Sequence, residues 1–310
     1  MSDYWLKKAK KRVIQAEQIG LDAVILMLLL YEETLESINR KIISFYAKNS
    51  NSSGLVFEEI SSLLGGVEKE KFVKGIQSKT REVGLNVYDV YDPARINRLT
   101  RLEALREEVF WETMAIVPIL IRYQREAYEK VIKKSYLTGR KDIAKYLGKS
   151  VPQMSTNDRI IKTLLRENWQ GGNFYSRTWA NNSVLSARVQ NALPKIVSKG
   201  LISGASQEKM QRQIREEFDI SKNAAERLVR TETNYFQNQA ELQGYKDEGI
   251  EEYRYEAVMD NRTSEICTEL NGQVFEVSKA QAGENYPPMH PNCRSTTVVI
   301  LPNELAKGSN

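Results

Sequence analysis

The residues with the most chemistry to offer crowd into the last fifty positions. Both cysteines, Cys267 and Cys293, and the single histidine, His290, lie there. Thiolate and imidazole are borderline-soft zinc ligands, and His290-Pro-Asn-Cys293 has a spacing found in zinc-binding turns. A structural site wants a fourth ligand; Asp260, Glu265 and Glu269 are the oxygen donors at hand. No Cys-x-x-Cys pair accompanies them. Two other states suit the same residues: reduced thiols packed in a core with His290 bonded to backbone, or a Cys267–Cys293 disulfide, which a reducing cytosol disfavours.

Catalytic patterns are harder to find. Acid–base chemistry recruits histidines or paired carboxylates with displaced pKa values, and one histidine in a proline-rich turn lacks such partners. Neither a glycine-rich phosphate loop nor Gly-x-Ser-x-Gly is present. Arg230-Thr-Glu232 matches short motifs of transferases that act on nicotinamide dinucleotides, but three residues on a helix recur by chance, and ion pairs within a helical body account for Arg230 and Glu232 equally well. No catalytic residue is assigned, and the chain is expected not to be an enzyme.

A second group of residues suits phosphate. Between positions 122 and 149 nine basic residues (Arg122, Arg125, Lys130, Lys133, Lys134, Arg140, Lys141, Lys145 and Lys149) face three acids, Glu126, Glu129 and Asp142. Tyr123, Tyr128, Tyr136 and Tyr146 are interleaved with them. Such a face would meet DNA by charge neutralisation without reading bases. The plainer alternative is a solvated helical face whose tyrosines pack inward.

The elements that hold these groups are mostly helices. Residues 3–49 read as two helices broken near Gly20, capped by Ser2 or Asp3. Asn49–Gly54 is a loop, 55–84 holds short helices broken at Gly65-Gly66, and a long helical stretch follows Pro93, kinked or split at Pro118. Residues 159–245 are helical with punctuation at Gly171-Gly172, Pro194, Gly200 and Gly204; Ser206 offers a cap and Ser221–Gln243 is the clearest helix. Glu252–Val258, Gly272–Val277 and Ser295–Leu301 read as strands, rich in aromatic or β-branched residues. The fold class is therefore mainly α, a multi-helix elongated body with a small C-terminal α+β module. Its divisions are 1–150, 151–250 and 251–310, with polar Ser150–Asp158 as the first boundary.

Composition sets outer limits. The 310 residues carry a formal charge of +5, a mild bias that permits nucleic-acid contact without arguing for it. The longest apolar run, Ala23–Tyr31, has nine residues against the roughly 20 that span a bilayer, so no membrane segment is expected.

Several ordered blocks together resemble the phage head morphogenesis family, the Mu F-like minor head proteins. They are Ala225–Glu232 with Arg230, Thr231 and Glu232; Asp260–Cys267 with Arg262 and Thr263; the turn at Asn271-Gly272; and Pro287–Arg294, with Pro287, Pro288, His290, Pro291, Cys293 and Arg294. Phe174–Trp179 and Gly200–Ser206 are similar to the family's helical preamble, and Tyr4-Trp5 to the start of members from phages of Gram-positive bacteria. Ser295 stands where the family has a further cysteine, which argues against a metal site made of thiolates alone.

The resemblance implies a minor capsid protein of a tailed bacteriophage, incorporated in few copies at the portal vertex during procapsid assembly and affecting DNA packaging or ejection. It implies the portal protein as partner, with packaged double-stranded DNA and scaffolding or major capsid protein as further contacts. The setting would be the virion head interior, and the host cytoplasm during assembly. No cofactor is implied beyond the structural zinc that Cys267, His290, Cys293 and Asp260 would hold. Two rivals stand beside this reading: a DNA-binding protein ejected with the genome, and a toxin-like enzyme built on the C-terminal module. The second is disfavoured because the sequence runs only about nine residues past its last expected strand.

Overall fold

The computed structural model describes residues 2–52, 54–150, 158–203 and 207–301. Its helices are α1 (Ser2–Asn49), α2 (Phe57–Ser61), α3 (Gly66–Glu82), α4 (Val87–Val90), α5 (Pro93–Ile96), α6 (Arg101–Met114), α7 (Val117–Tyr146), α8 (Asp158–Arg166), α9 (Phe174–Ser203), α10 (Gln207–Asp247) and α11 (Glu265–Leu270). A two-residue hairpin, β1 (Ser50–Asn51) and β2 (Gly54–Leu55), follows α1. A three-stranded sheet is built from β3 (Glu252–Glu256), β4 (Val274–Glu276) and β5 (Thr296–Ile300). The mainly α body with a small C-terminal α+β module is therefore present.

Contacts divide the chain into two compact units, each discontinuous in sequence. One gathers Met1–Ile25, Tyr123–Phe174 and Glu226–Asn310; the other gathers Leu26–Arg122 and Tyr175–Ala225. Linear boundaries at 150 and 250 do not coincide with these units, because α1, α7 and α10 each contribute to both. Residues 151–157, the expected linker, lie outside the described residues, as do Gly204 and the Ser206 cap. The capping side chains of Ser2 and Asp3 are likewise not described.

The first unit carries the residues of interest. Helix α1 is continuous through Gly20, where two helices were expected. Glycine costs a helix about 1 kcal/mol relative to alanine, and here close packing requires it. A β-carbon at position 20 would lie 2.5 Å from Thr233 Oγ1 on α10. Upstream, Trp5, Ala9, Val13 and Ala16 line one buried face at helical spacing. Trp5 and Ala9 join a core with Leu242, Tyr245, Tyr253, Tyr286, Val298 and Val299.

Strand β3 is central, antiparallel to β4 on one side and β5 on the other, with Tyr253 opposite Phe275 and Val299. Tyr253 and Tyr255 are buried while Glu252, Arg254 and Glu256 are half-buried, the period-two alternation of a strand. Polar side chains of α10 dock beside β5: Asn234 Nδ2 and Asn238 Nδ2 donate to the Ser295 carbonyl at 3.0 and 3.3 Å, and Tyr245 donates to the Thr297 carbonyl at 3.2 Å. Helix α10 begins at Gln207, well before the expected Ser221.

One guanidinium joins the three separated segments. Arg12, 5% exposed, donates to Glu241 at 2.9 Å and to Asp142 at 3.0 Å, and Lys8 also reaches Asp142 at 2.9 Å. Burial opposes the charge on Arg12, but Glu241 and Asp142 outweigh it and raise its pKa further.

In the second unit, α3 to α6 enclose Phe72, Ile76, Tyr91, Leu99 and Trp111. Asp92 caps α5 ahead of Pro93, and Thr100 with Glu103 forms a capping box on α6. Pro118 separates α6 from α7 by sitting in the first turn of α7, where a missing N–H costs nothing. Pro194, expected to interrupt, lies inside a continuous α9. By length and composition Tyr4–Asn49 also passes for a membrane-crossing helix, as core helices do; 33% of its most apolar window is buried.

Candidate metal centre

Three turns bring the thiols and the imidazole together. After β3, the Asp260 carboxylate accepts from the Arg262 amide at 2.8 Å, while Thr263 Oγ1 accepts from the Asp260 amide and donates to the Val258 carbonyl. Ser264 then caps α11 by accepting from the Cys267 amide, which points Cys267 into the interior. Asn271 closes the segment by accepting from the Ala257 amide, and Gly272, at φ 83°, makes the left-handed turn into β4. The Asn271-Gly272 block is thus a structural turn.

The second arm is the turn from His290 to Cys293. The Cys293 amide donates to the His290 carbonyl at 3.1 Å, and Asn292 adopts a φ of 60°. Its amide donates to Thr231 Oγ1 at 2.9 Å, and Thr231 itself donates to the Arg227 carbonyl. Thr231 is therefore the residue of the Arg230–Glu232 block that fastens the turn to α10. Arg230 ion-pairs with Glu226 one helical turn away, and Glu232 is buried. Before the turn, Pro287 and Pro288 are buried and joined by a cis peptide bond.

The outcome is a cluster of Cys267, His290 and Cys293 whose ligand atoms all lie within 4.8 Å of one another. Cys267 Sγ is 3.3 Å from His290 Nε2 and 3.8 Å from Cys293 Sγ. Both cysteines are buried and unbridged; His290 is half-buried. His290 Nδ1 lies 2.9 Å from the Pro291 carbonyl, which can only accept, so Nδ1–H donates there and Nε2 faces Cys267. A hydrogen bond from Cys293 favours the Cys267 thiolate and lowers its pKa, while the same contact and burial raise that of Cys293.

Asp260 is turned elsewhere. It accepts from Arg294 at 2.6 Å, and Arg294 first, then the Arg262 amide, hold its pKa down to about 2. Glu265 and Glu269 are exposed on α11. Arg262, although on the same loop, is mostly solvent-exposed and 3.9 Å from Asp260. Beside the cluster opens a cavity of about 740 Å³, onto which His290, Cys293, Arg230, Arg262 and Arg294 face, with Glu17 as its carboxylate. Guanidinium groups predominate over carboxylates, an arrangement suited to anions and not to paired-acid catalysis.

The basic residues of α7 and the turn after it divide into two kinds. Arg122, Arg125, Lys130, Lys133, Lys134, Lys141, Lys145 and Lys149 are exposed. Arg140 is held internally, donating to Glu248 at 2.6 Å and to the Tyr136 hydroxyl at 2.7 Å. Tyr128 and Tyr136 are buried and Tyr123 and Tyr146 half-buried, so at least two of the four tyrosines serve the core instead of a stacking surface. The Arg12 triad and the Thr231 anchor were missed by sequence reasoning. The only signal for Thr231 is its place in the Ala225–Glu232 block.

Residues 191–298 match the family described as phage Mu protein F like protein. A protein of Haemophilus influenzae strain Rd, described as uncharacterized, is 25% identical over 124 residues, which cover 39% of this chain and 27% of that protein. The match thus spans about a quarter of the relative's length. No solved structure matches.

Proposed function

We propose, from the match of residues 191–298 to the phage Mu protein F like family, that the chain is a minor head protein of a tailed bacteriophage, present in few copies at the portal vertex. There it would join the procapsid through the portal protein and act in DNA packaging or ejection, in contact with DNA and scaffolding or major capsid protein. The family match is the observation that carries this reading.

A protein-contact role is further supported by α1. Ile14, Leu21, Ile25 and Leu29 are 65%, 40%, 49% and 56% exposed, and their spacing sets them along one side of the helix. Exposed apolar groups in such a row suit burial by a partner. The experiment is co-expression with the portal protein, co-purification, and counting of copies per portal ring by native mass spectrometry. A stable complex with few copies is expected, weakened by Ile25→Glu with Leu29→Glu. Absence of a complex, together with absence from procapsids assembled in its presence, overturns the proposal.

The exposed basic residues of α7 favour a second role on the same particle, sequence-indifferent contact with packaged or ejected DNA. Enzymatic activity forms no part of the reading.

A further inference from the structure

The sulfurs of Cys267 and Cys293 and the Nε2 of His290 stand as ligands stand around a metal. With zinc–sulfur bonds of about 2.3 Å and zinc–nitrogen bonds of about 2.0 Å, tetrahedral geometry places two sulfurs about 3.8 Å apart and sulfur and nitrogen about 3.5 Å apart. The observed separations are 3.8 and 3.3 Å. A disulfide would require the sulfurs to close to about 2.0 Å.

We propose that Cys267, His290 and Cys293 hold a structural zinc ion, with a water molecule from the adjoining cavity as its fourth ligand. The orientation of the His290 ring is the one such a site needs. Its Nδ1–H is engaged by the Pro291 carbonyl, the kind of outer partner that orients a ligating imidazole, and Nε2 is left to bind. Two thiolates and an imidazole select zinc over magnesium or calcium, which prefer oxygen. Asp260 is committed to Arg294, and among the described residues no fourth His, Cys, Asp or Glu joins the cluster, so the remaining position falls to solvent. The cavity that His290 and Cys293 line supplies that solvent.

The ion would tie α11 to the turn at 290–293. That turn lies in the stretch between β4 and β5, residues 277–295, which contains no strand and whose longest regular element is the 3₁₀ turn Val277–Lys279. A cross-link there adds to the local turns that hold the stretch, and binding free energy becomes folding free energy. The inference goes beyond the head-protein reading and is independent of it, since metal content can be measured whatever the chain docks on.

The test uses the full chain, purified without chelators or a histidine tag. Elemental analysis should find about one zinc per chain. Cobalt substitution should give thiolate-to-metal absorption in the near ultraviolet and visible bands of a four-coordinate ion. Chelation should lower the melting temperature of the wild type. His290→Ala should weaken zinc binding by more than the roughly 10–100-fold that loss of an outer partner costs, and Cys293→Ser should abolish the cobalt–thiolate absorption. Because Cys293 is buried and its variant can fail to fold, the wild type and half-buried His290→Ala decide the matter. A folded wild type that contains no zinc and takes none up when it is added overturns the proposal, as does a His290→Ala variant that binds as tightly.

Discussion

Replacing Arg12 by methionine should produce one of the largest single losses of stability in the first unit. The side chain of Glu241 is fully buried, and Arg12 is its ionic partner at 2.9 Å. After the substitution Glu241 keeps, among the described residues, Gln237 at 3.2 Å and a Tyr245 hydroxyl 3.5 Å away that the Thr297 carbonyl also claims, while Asp142 retains Lys8. The damage therefore concentrates on one orphaned carboxylate. Removing one partner of a buried pair costs about 3–5 kcal/mol, whereas removing the charge from both can be close to neutral. Arg12→Met alone should thus lose about 3 kcal/mol or more, and Arg12→Met with Glu241→Gln should recover at least about half of it. Urea unfolding followed by tryptophan fluorescence measures both, with Trp5 reporting on the same helix. A loss below about 1 kcal/mol for the single variant, or a double variant no more stable than the single, would refute the argument.

Three further outcomes can be checked. Gly20→Ala gains about 1 kcal/mol of helix propensity but drives a methyl against Thr233 Oγ1, so it should destabilise by roughly 1–2 kcal/mol net. Thr233→Ala removes the obstructing oxygen, which has no hydrogen-bond partner, and should restore stability in the double variant; a stabilised Gly20→Ala would contradict the packing described. Asp260 has a lowered folded pKa, so its contribution to stability is complete above the ordinary carboxylate range and disappears as pH falls through about 2. Carboxyl NMR titration should show Arg294→Gln returning Asp260 toward its usual value, and an unmoved titration would dissociate the two residues. If α7 contacts DNA, reversing Lys133, Lys134 and Lys141 should make the slope of log K against log salt shallower by about 3; a filter-binding series with unchanged slope would dismiss that face.

Element types were largely readable from local signals. Pro93 and the β-branched run of β5 each act within a few residues, so each marked its element. Pro118 did too, by occupying a first turn. Gly20 misled because a local preference of about 1 kcal/mol yields to tertiary packing, the decisive neighbour, Thr233, lying on another helix; Pro194 misled because α9 continues through it, for which the structure offers no packing explanation. The clustering of Cys267, His290 and Cys293 was legible from residue type and from the spacing of His290 and Cys293. Asp260 was not, because its partner Arg294 is 34 positions away and competes for the same carboxylate. The Arg12 network was invisible for the same reason on a larger scale, its partners being 130 and 229 residues distant.

That separation has a consequence for biosynthesis. Trp5 and Ala9 complete their core with Val298 and Val299, so they leave the ribosome long before the partners that finish that core. At about 5–20 residues per second, the interval is roughly 15–60 s. During it Trp5 and Ala9 can pack only against the nearer members of that core, Ile143 and Tyr146, and their remaining apolar surface is open to chaperones or to neighbouring nascent chains. The core of this unit cannot settle portion by portion as the chain emerges; it closes when β5 arrives.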